Sequence, residues 1–323
     1  MSSDGGLRLG YWLSSEEHGP AALVSNAQRA EQVGFETAMI SDHFHPWTRT
    51  QGEAPFVWSV LGAIATATRK LRVGTGVTAP LIRMHPVVVA HAAATTAVQF
   101  AGRFFLGLGT GERLNEHVTG ARWPGTGERR AMLAEAVGVI RDLLDGGNVN
   151  HRGEFFTVEN AQLFTTPQVA PEVYLAASGL KSAQLAGELG DGMIGVSSSP
   201  RTVEAFEAAG GKGKPRLAQL HVCWADDETA ARRTARAWWP NGALTGSALT
   251  DLARPKDFEQ ALAHVREDDV AGTVVCGPDP QRHLEAIARF AAAGYTEVYL
   301  HQVGPDQAGF LRFCQSELLP QFT

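Results

Sequence analysis

The sequence predicts an α/β fold, a (β/α)8 barrel with insertions at the carboxyl face of its strands. Short apolar segments alternate with segments of helical periodicity along the 323 residues, and eight apolar segments have the length and composition of strands. No linker or change in composition divides the chain, whereas a doubly wound fold would need two sheets and a linker here. We therefore expect one barrel domain over residues 1–323, with insertions at about 148–168 and 240–272.

The predicted elements follow from apolar periodicity and from the residues that end each segment. Gly34 is a natural stop for the first helix, and apolar residues within 133–144 recur on one helical face. The polar stretch 148–168 is typical of a hairpin or arm, and 240–272 interrupts the alternation. Strands are predicted at 7–13, 37–40, 71–77, 104–108, 173–177, 193–196, 217–224 and 298–303, and helices at 21–33, 56–68, 87–100, around 133–144, 180–189, 226–238, 283–293 and 307–318.

Charge and composition exclude several classes of protein. The formal net charge is −6 and no run of Lys and Arg exceeds two residues, so a nucleic-acid groove is not expected. No stretch approaches the roughly 20 apolar residues of a membrane helix, and the first residues lack the features of a secretory signal. Cys223, Cys276 and Cys314 have no metal-binding spacing and suit reduced thiols in a cytoplasmic protein. The expected partner is a small-molecule substrate.

The stretch 41–47, Ser-Asp-His-Phe-His-Pro-Trp, follows the second predicted strand. It places a proton carrier, His43, and a flat aromatic wall, Trp47, at the end of a strand where parallel α/β proteins carry their chemistry. Considered in isolation, His43 and Trp47 are also typical of a satisfied pair in a protein core. The other strand ends decide between the two interpretations.

Polar residues follow the other predicted strands as well. Glu16 follows the first strand, and Glu112 and Asn115 follow the fourth. In a barrel these ends surround one mouth, which favours a functional role for His43. Each residue also has a structural explanation, because Glu112 and Asn115 could cap the next helix and Glu16 could be a solvated acid. The remaining strand ends contribute Gly76, Val77, Thr110, Ser178, Gly179 and residues 197–199.

Common catalytic motifs are absent from the sequence. It contains no nucleophile elbow, no His-Glu-x-x-His and no P-loop, and the glycines at 107–111 and 74–79 match a dinucleotide fingerprint poorly. His43 and His45 would point to opposite sides of an extended segment, so we expect no metal site. What remains is an acid/base pair, an aromatic wall and glycine-rich turns, which suit a flat cofactor with an anionic tail.

Six stretches carry a pattern that none of them would establish alone. They are 9–16 (Leu-Gly-Tyr, then Ser14 and Glu16), 41–47, 51–56, 107–116, 176–179 and 190–192. Together they resemble the luciferase-like barrel superfamily and, within it, the coenzyme F420-dependent glucose-6-phosphate dehydrogenases and their relatives. The resemblance covers nearly the whole chain.

This resemblance implies an oxidoreductase that holds coenzyme F420, a deazaflavin, in the barrel mouth. His43 would be the base that takes the proton of a substrate hydroxyl, and Trp47 would stabilise the reacting centre. Glu112 would handle the proton of the reduced deazaflavin, and Glu16 would lie near the substrate. The implied cofactor contacts are Asp42, Gly76, Val77 (with a cis peptide between these two), Thr110, Gly111, Asn115, Ser178, Gly179, Lys181 and Ser182.

The resemblance is weaker on the substrate side. The sugar-phosphate enzymes hold the phosphate with two lysines, an arginine and a threonine, and the matching positions are Ser199, Ala248, Gly272 and Val196. Losing three cations removes charge-assisted contacts of roughly 1.5–3 kcal/mol each, so glucose 6-phosphate is not the expected substrate. We expect a neutral alcohol, a carbonyl compound or a larger apolar molecule instead.

Three alternatives remain open from the sequence. The chain could be an FMN-dependent monooxygenase of the same superfamily, although the set His43, Trp47 and Glu112 belongs to the dehydrogenase branch. It could also be a sugar-phosphate dehydrogenase with a rebuilt phosphate site, or a flavin-binding barrel without catalysis. Alanine-rich helices such as 87–100 could pack in a homodimer.

Overall fold

The computed structural model describes residues 6–322, in which eight parallel strands form a closed barrel. The predicted (β/α)8 fold and its eight strands are confirmed. The strands are β1 (Arg8–Leu13), β2 (Thr37–Ile40), β3 (Arg72–Thr75), β4 (Phe104–Leu108), β5 (Val149–Arg152), β6 (Thr157–Ala161), β7 (Glu172–Ala176), β8 (Gly192–Gly195), β9 (Arg216–Cys223), β10 (Val275–Cys276) and β11 (Glu297–Gln302). Around the barrel the order is β1, β2, β3, β4, β7, β8, β9 and β11, and β11 pairs with β1.

Helices connect the strands and cover the outside of the barrel. Their ends follow local chemistry: Gly34 ends the first helix at a φ of 113°, and the Asp227 side chain accepts a hydrogen bond from the Ala230 N–H at the start of another. The helices are α1 (Pro20–Val33), α2 (Val57–Ala67), α3 (Pro86–Phe100), α4 (Arg113–Glu116), α5 (Thr126–Asp145), α6 (Leu180–Leu189), α7 (Pro200–Phe206), α8 (Glu228–Trp238), α9 (Ala248–Asp251), α10 (Pro255–Ala261), α11 (Glu267–Ala271), α12 (Pro280–Ala292) and α13 (Gln307–Phe313).

The two predicted insertions have different structures. The first contains the antiparallel hairpin β5–β6, as expected. The second is helical, and its apolar residues pack in one cluster with Trp47 and Leu114, which follow β2 and β4. Strand β10 was not predicted, because its two residues are too few to show a pattern; it pairs with the last two residues of β9. The helical insertion therefore forms a cap at the carboxyl end of the barrel.

Large side chains fill the barrel interior below the strand ends. The close packing requires glycine on neighbouring strands: a Cβ at Gly74 would lie 2.2 Å from the Phe105 ring, and one at Gly10 would lie 2.4 Å from the Tyr299 ring. The interior is therefore a solid floor, and a ligand that enters the barrel mouth lies above this floor, towards the strand ends. The floor residues are Trp12, Met39, Phe105, Tyr174, Ile194, Leu217 and Tyr299, with Val77 packed against them.

Strand β3 ends two residues earlier than predicted, at Thr75. The peptide bond between Gly76 and Val77, just beyond the end of the strand, is cis, as the resemblance implied. Val77 packs against the floor residues at the barrel mouth. Within residues 6–322, no helix combines the length and the apolar character required to cross a membrane.

Candidate active site

His43 lies at the centre of the candidate site, between two carboxylates. Its Nε2 is 3.3 Å from Glu16 Oε1 and 3.5 Å from Glu112 Oε2. The three side chains follow β2, β1 and β4, so strand ends far apart in the sequence meet in one place. The structure therefore brings together the three polar residues that the sequence proposes as proton carriers.

The backbone of the same loop orients the His43 ring. The Nδ1 atom of His43 is 3.1 Å from the carbonyl oxygen of His45. The Nδ2 atom of Asn115 is also 3.2 Å from this nitrogen, so a carbonyl acceptor and an amide donor together hold Nδ1 in place. The Nε2 atom faces both carboxylates and is the ring nitrogen positioned to exchange a proton with them.

Asn115 joins the His43 loop to Glu112. Its Oδ1 accepts hydrogen bonds from the backbone N–H groups of Phe44 and His45, at 2.9 and 3.2 Å. Its Nδ2 donates to Glu112 Oε2 at 3.1 Å. Asn115, which is predicted to contact a cofactor, thus holds the His43 loop and the Glu112 side chain in a fixed relative position.

The electrostatic environment shifts the pKa values of Glu16 and Glu112 in opposite directions. Burial opposes ionisation of Glu16, but His43 and the hydrogen bond from Ser41 outweigh it, so the pKa of Glu16 is lowered. Burial raises the pKa of Glu112 to about 7, and Glu16 acts in the same direction against the opposing effect of His43. One carboxylate therefore stays ionised near neutral pH while the other exchanges its proton there.

The same neighbours shift the pKa of His43. Burial alone would lower the pKa of His43, but the charges of Glu16 and then of Glu112 outweigh it, and the pKa is raised. A histidine with a raised pKa beside a carboxyl with a raised pKa is an arrangement that can move protons near neutral pH. The arrangement is therefore suited to general acid–base chemistry.

Aromatic rings form one wall of the site. The Trp47 ring lies 5.2 Å from the His43 ring, and its other side packs edge-on against Phe258 of α10, also at 5.2 Å. Trp47 is 7% exposed, and its Nε1–H has no hydrogen-bond partner among the described residues. No sequence pattern indicates Phe258 as a site residue, because it lies in an insertion and only the folded cap brings it to the strand ends.

Asp42, another predicted cofactor contact, is held by a buried cation. Asp42 Oδ1 accepts from Arg83 Nη2 at 2.8 Å, and Oδ2 accepts from Thr78 Oγ1 at 2.7 Å. The backbone N–H of Arg83 also donates to Glu116. Both oxygens of the fully buried Asp42 side chain are thus engaged, which leaves its backbone for contact with a ligand. Arg83 lies in an irregular segment, where no sequence pattern singles it out.

Two glycines keep the backbone bare where β4 ends. At Gly109 a Cβ would come within 2.6 Å of Val77, and at Gly111, where φ is 70°, one would come within 3.0 Å of Ala79. Only glycine allows this loop to lie against the cis segment. The loop that carries the predicted contacts Thr110 and Gly111 therefore lies against the segment 77–79.

The predicted contacts after β7 lie at the start of α6. Gly179 is the residue before this helix, and a Cβ there would meet nothing within 4 Å. Ser178 and Lys181 are exposed, and Ser182 is half-buried. The amide groups at this helix end are consequently open to an anionic ligand.

The four positions predicted for the substrate pocket lie on separate segments, two after β8 and two in the cap. Val196, directly after β8, is 57% exposed, and Ser199 precedes α7. Ala248 begins α9, which packs against α4 beside Glu112. Gly272 ends α11, where a Cβ would meet only atoms of that helix. No cation occupies any of these four positions.

Comparison with known proteins identifies the family. The model of the luciferase-like monooxygenase family matches residues 7–297. The chain belongs to this family. Its curated relatives include the F420-dependent glucose-6-phosphate dehydrogenases of Microbacterium testaceum, 33% identical over 98% of this chain and 97% of the relative, and of Mycobacterium tuberculosis strain H37Rv, 34% identical over 98% of both chains. The resemblance stated from the sequence is confirmed.

Solved structures agree with this assignment. An F420-dependent secondary alcohol dehydrogenase in complex with an F420–acetone adduct superposes with a TM-score of 0.91, at 30% identity, over 98% of this chain and 99% of the other. The F420-dependent tetrahydromethanopterin reductase of Methanopyrus kandleri shares the fold, with a TM-score of 0.80 at 22% identity over 99% of this chain and 100% of that one. The luciferase-like barrel is therefore present over the whole described chain.

Proposed function

We propose that this chain is an F420-dependent oxidoreductase that transfers hydride between an alcohol or carbonyl substrate and the deazaflavin. The observation that carries the proposal is the contact of His43 Nε2 with both Glu16 and Glu112, at 3.3 and 3.5 Å. Oxidation of an alcohol releases one proton from the hydroxyl, and reduction of the cofactor consumes one. A base whose pKa is raised by two neighbouring carboxylates and an acid whose pKa is about 7 meet both needs.

The residues at the mouth fit a flat cofactor with an anionic tail. The bare backbone at Gly109 and Gly111 permits close approach of a ring above Val77, and the Trp47 Nε1–H is a buried donor without a partner among the described residues. The open start of α6 and the exposed Lys181 suit phosphate or carboxylate groups. When bound, the deazaflavin supplies the atom that accepts or gives up the hydride.

In the direction of alcohol oxidation, His43 Nε2 takes the hydroxyl proton of the substrate. The ionised Glu16 stabilises the imidazolium that results, and the hydroxyl of Ser41 holds Glu16 in place. Glu112, protonated up to about pH 7, would hold the proton that reduction of the cofactor consumes. Trp47 from the loop after β2 and Phe258 from the cap cover the site and exclude water. Carbonyl reduction reverses each of these proton movements.

The substrate is proposed to be neutral rather than a sugar phosphate. The positions that match phosphate-binding residues hold Val196, Ser199, Ala248 and Gly272, and Val196 presents apolar surface. Arg201, Lys181 and Lys256 are exposed cations that could replace only part of the lost contacts. We expect no saturable turnover of glucose 6-phosphate at micromolar concentration. Such turnover would refute this part of the proposal and favour a rebuilt phosphate site.

Titration with each cofactor tests the proposal directly. We expect F420 to bind at low micromolar concentration or tighter, seen as a shift of its absorbance band, and FMN not to bind. A screen of secondary alcohols with F420, and of ketones with reduced F420, should then change that band catalytically. Binding of FMN alone would favour the monooxygenase, and binding of F420 without any turnover would favour a non-catalytic barrel.

Assembly into a homodimer is a further part of the proposal. Helix α3 exposes Val88 and Val98, at 52% and 42%, as an apolar surface that could pack against a second copy, whereas four of its five alanines are buried within the chain. Light scattering should give the mass of two chains, and Val88→Glu together with Val98→Glu should give the mass of one. A monomeric unaltered protein would contradict this.

A further inference from the structure

A second acid–histidine pair lies beside the candidate active site. Glu17, the residue after Glu16, turns towards β11 instead of β2. Its Oε2 is 2.6 Å from His301 Nε2, and its Oε1 accepts from the Gly304 N–H at 2.8 Å. Both side chains of the pair are 0% exposed. The mechanism proposed above uses neither of them.

The pair continues to a third residue, His221 on β9. His221 and His301 are register partners on neighbouring strands, and their Nδ1 atoms lie 2.9 Å apart. The ring of Trp239, from the cap, packs on both imidazoles, with ring centres 5.1 Å from His221 and 4.4 Å from His301. Hydrogen bonding and packing therefore fix the His221 ring.

The strand register shows which way His221 faces. Leu217 lies on the same strand and belongs to the barrel floor, and His221 is two side-chain repeats further along. Residues two or four apart on a strand share a face, so His221 points into the barrel interior above the floor. By the same argument Val196 lies above Ile194, another floor residue. His221 is half-buried, and together with Val196 it lines the mouth.

The chain of contacts leaves one atom of His221 available. Burial lowers the pKa of His221 well below its ordinary value, and His301 acts in the same direction, so the ring is neutral. Its Nδ1 is taken by His301, and its Nε2 has no hydrogen-bond partner within residues 6–322. If the shared proton is on Nδ1 of His221, its Nε2 accepts a hydrogen bond. If the proton is on Nδ1 of His301, the Nε2 of His221 donates one. It can thus contact either a hydroxyl or a carbonyl oxygen.

We infer that His221, oriented by Glu17 and His301, binds a second oxygen of the substrate, so that the enzyme prefers substrates carrying a hydroxyl or carbonyl group besides the one that reacts. This inference rests on the proposed function, which assigns the reacting oxygen to His43. Strands β2 and β9 are separated by β1 and β11, three strand spacings of about 4.8 Å. Both imidazoles reach inwards from these strands, so the second oxygen lies several bonds from the reacting carbon.

Matched pairs of substrates test the inference. Each pair consists of a secondary alcohol and the same molecule with one added hydroxyl two, three or four carbons away. For each compound the dissociation constant from the enzyme–F420 complex, kcat and KM are measured in the unaltered protein, His221→Phe, His221→Gln and the surface control His91→Gln. The Gln variant keeps a polar group near the position of Nε2, and the Phe variant keeps only the ring shape.

We expect the best diol of the series to bind about three- to tenfold more tightly than its mono-alcohol, the effect of one added hydrogen bond. His221→Phe should abolish this ratio through KM, with kcat for the mono-alcohol and F420 affinity unchanged, and His221→Gln should restore part of it. An unchanged ratio in His221→Phe would overturn the inference, as would an equal loss of F420 binding in both variants. Failure of every alcohol to turn over refutes the proposed function instead, while the ratio of dissociation constants still decides the role of His221.

Discussion

Glu16 and His43 form a buried ion pair at the strand ends, with Oε1 and Nε2 3.3 Å apart and side chains 3% and 10% exposed. The pair joins neighbouring strands, since Leu13 of β1 and Ile40 of β2 are register partners just before it. An ionised carboxylate beside a base stabilises the protonated base and keeps its ring oriented. The geometry of this pair underlies the first prediction.

Replacing His43 by alanine should abolish turnover without abolishing cofactor binding. Loss of a general base lowers the rate by roughly 10²- to 10⁴-fold, whereas most of the proposed cofactor contacts lie on the loops after β3, β4 and β7 and do not involve the His43 side chain. Rates are read from the F420 absorbance band, and affinity from titration with F420. The exposed His91→Ala variant serves as the control and should behave like the unaltered protein. A His43→Ala variant with an unchanged rate would remove His43 from the mechanism.

Alcohol oxidation should slow as the pH rises above about 7. The reaction needs Glu112 protonated, and its pKa of about 7 means that the acid form is lost above that pH. Because Glu112 and His43 are coupled, the apparent value belongs to the pair. In Glu112→Gln the rate should fall by roughly 100-fold, and the descending limb of the pH profile should disappear. A descending limb of the same pKa in that variant would assign it to another group.

The free energy of unfolding should also depend on Glu112. A carboxyl whose pKa is raised by folding contributes its full stability below its ordinary value of 4.5, and loses that contribution as the pH rises through about 7. The free energy of unfolding of Glu112→Gln minus that of the unaltered protein should therefore be larger at pH 8.5 than at pH 5, by about 1–3 kcal/mol. Urea unfolding at both pH values measures this, with the exposed Glu36→Gln as control. An identical difference at both pH values would contradict it.

Arg83 should be among the most sensitive positions for stability. It is 9% exposed and lies between Asp42 and Glu116, whose side chains are 0% and 1% exposed. Arg83→Met leaves two buried carboxylates without their cation, which costs about 3–5 kcal/mol. Urea unfolding should show this loss, and Arg152→Met, which breaks an exposed pair on the hairpin, should show almost none. Equal effects of the two substitutions would show that burial does not govern the Arg83 contacts.

The strand ends illustrate how far local patterns reach. The sequence indicates the stretch 41–47 because His, Pro and Trp follow an apolar run, and it indicates Glu112 because this residue follows glycines at the end of another. Periodicity placed both after strands, and parallel strands in a barrel share one mouth. Phe258 and Arg83 carry no such signal, since an insertion and an irregular loop reveal no face that would aim a side chain at the site.

The sequence by itself determined the eight strands, the closed barrel and the family, because each depends on local composition or on short motifs that the printed chain displays. Only the tertiary structure decided that Glu16 pairs with His43 while Glu17 pairs with His301, at 3.3 and 2.6 Å. The sequence does not show which histidine each of the two adjacent glutamates contacts. Which histidine each one meets depends on how the turn after β1 leaves the barrel between β2 and β11, and the packing of those strands, rather than any residue pattern, sets that direction.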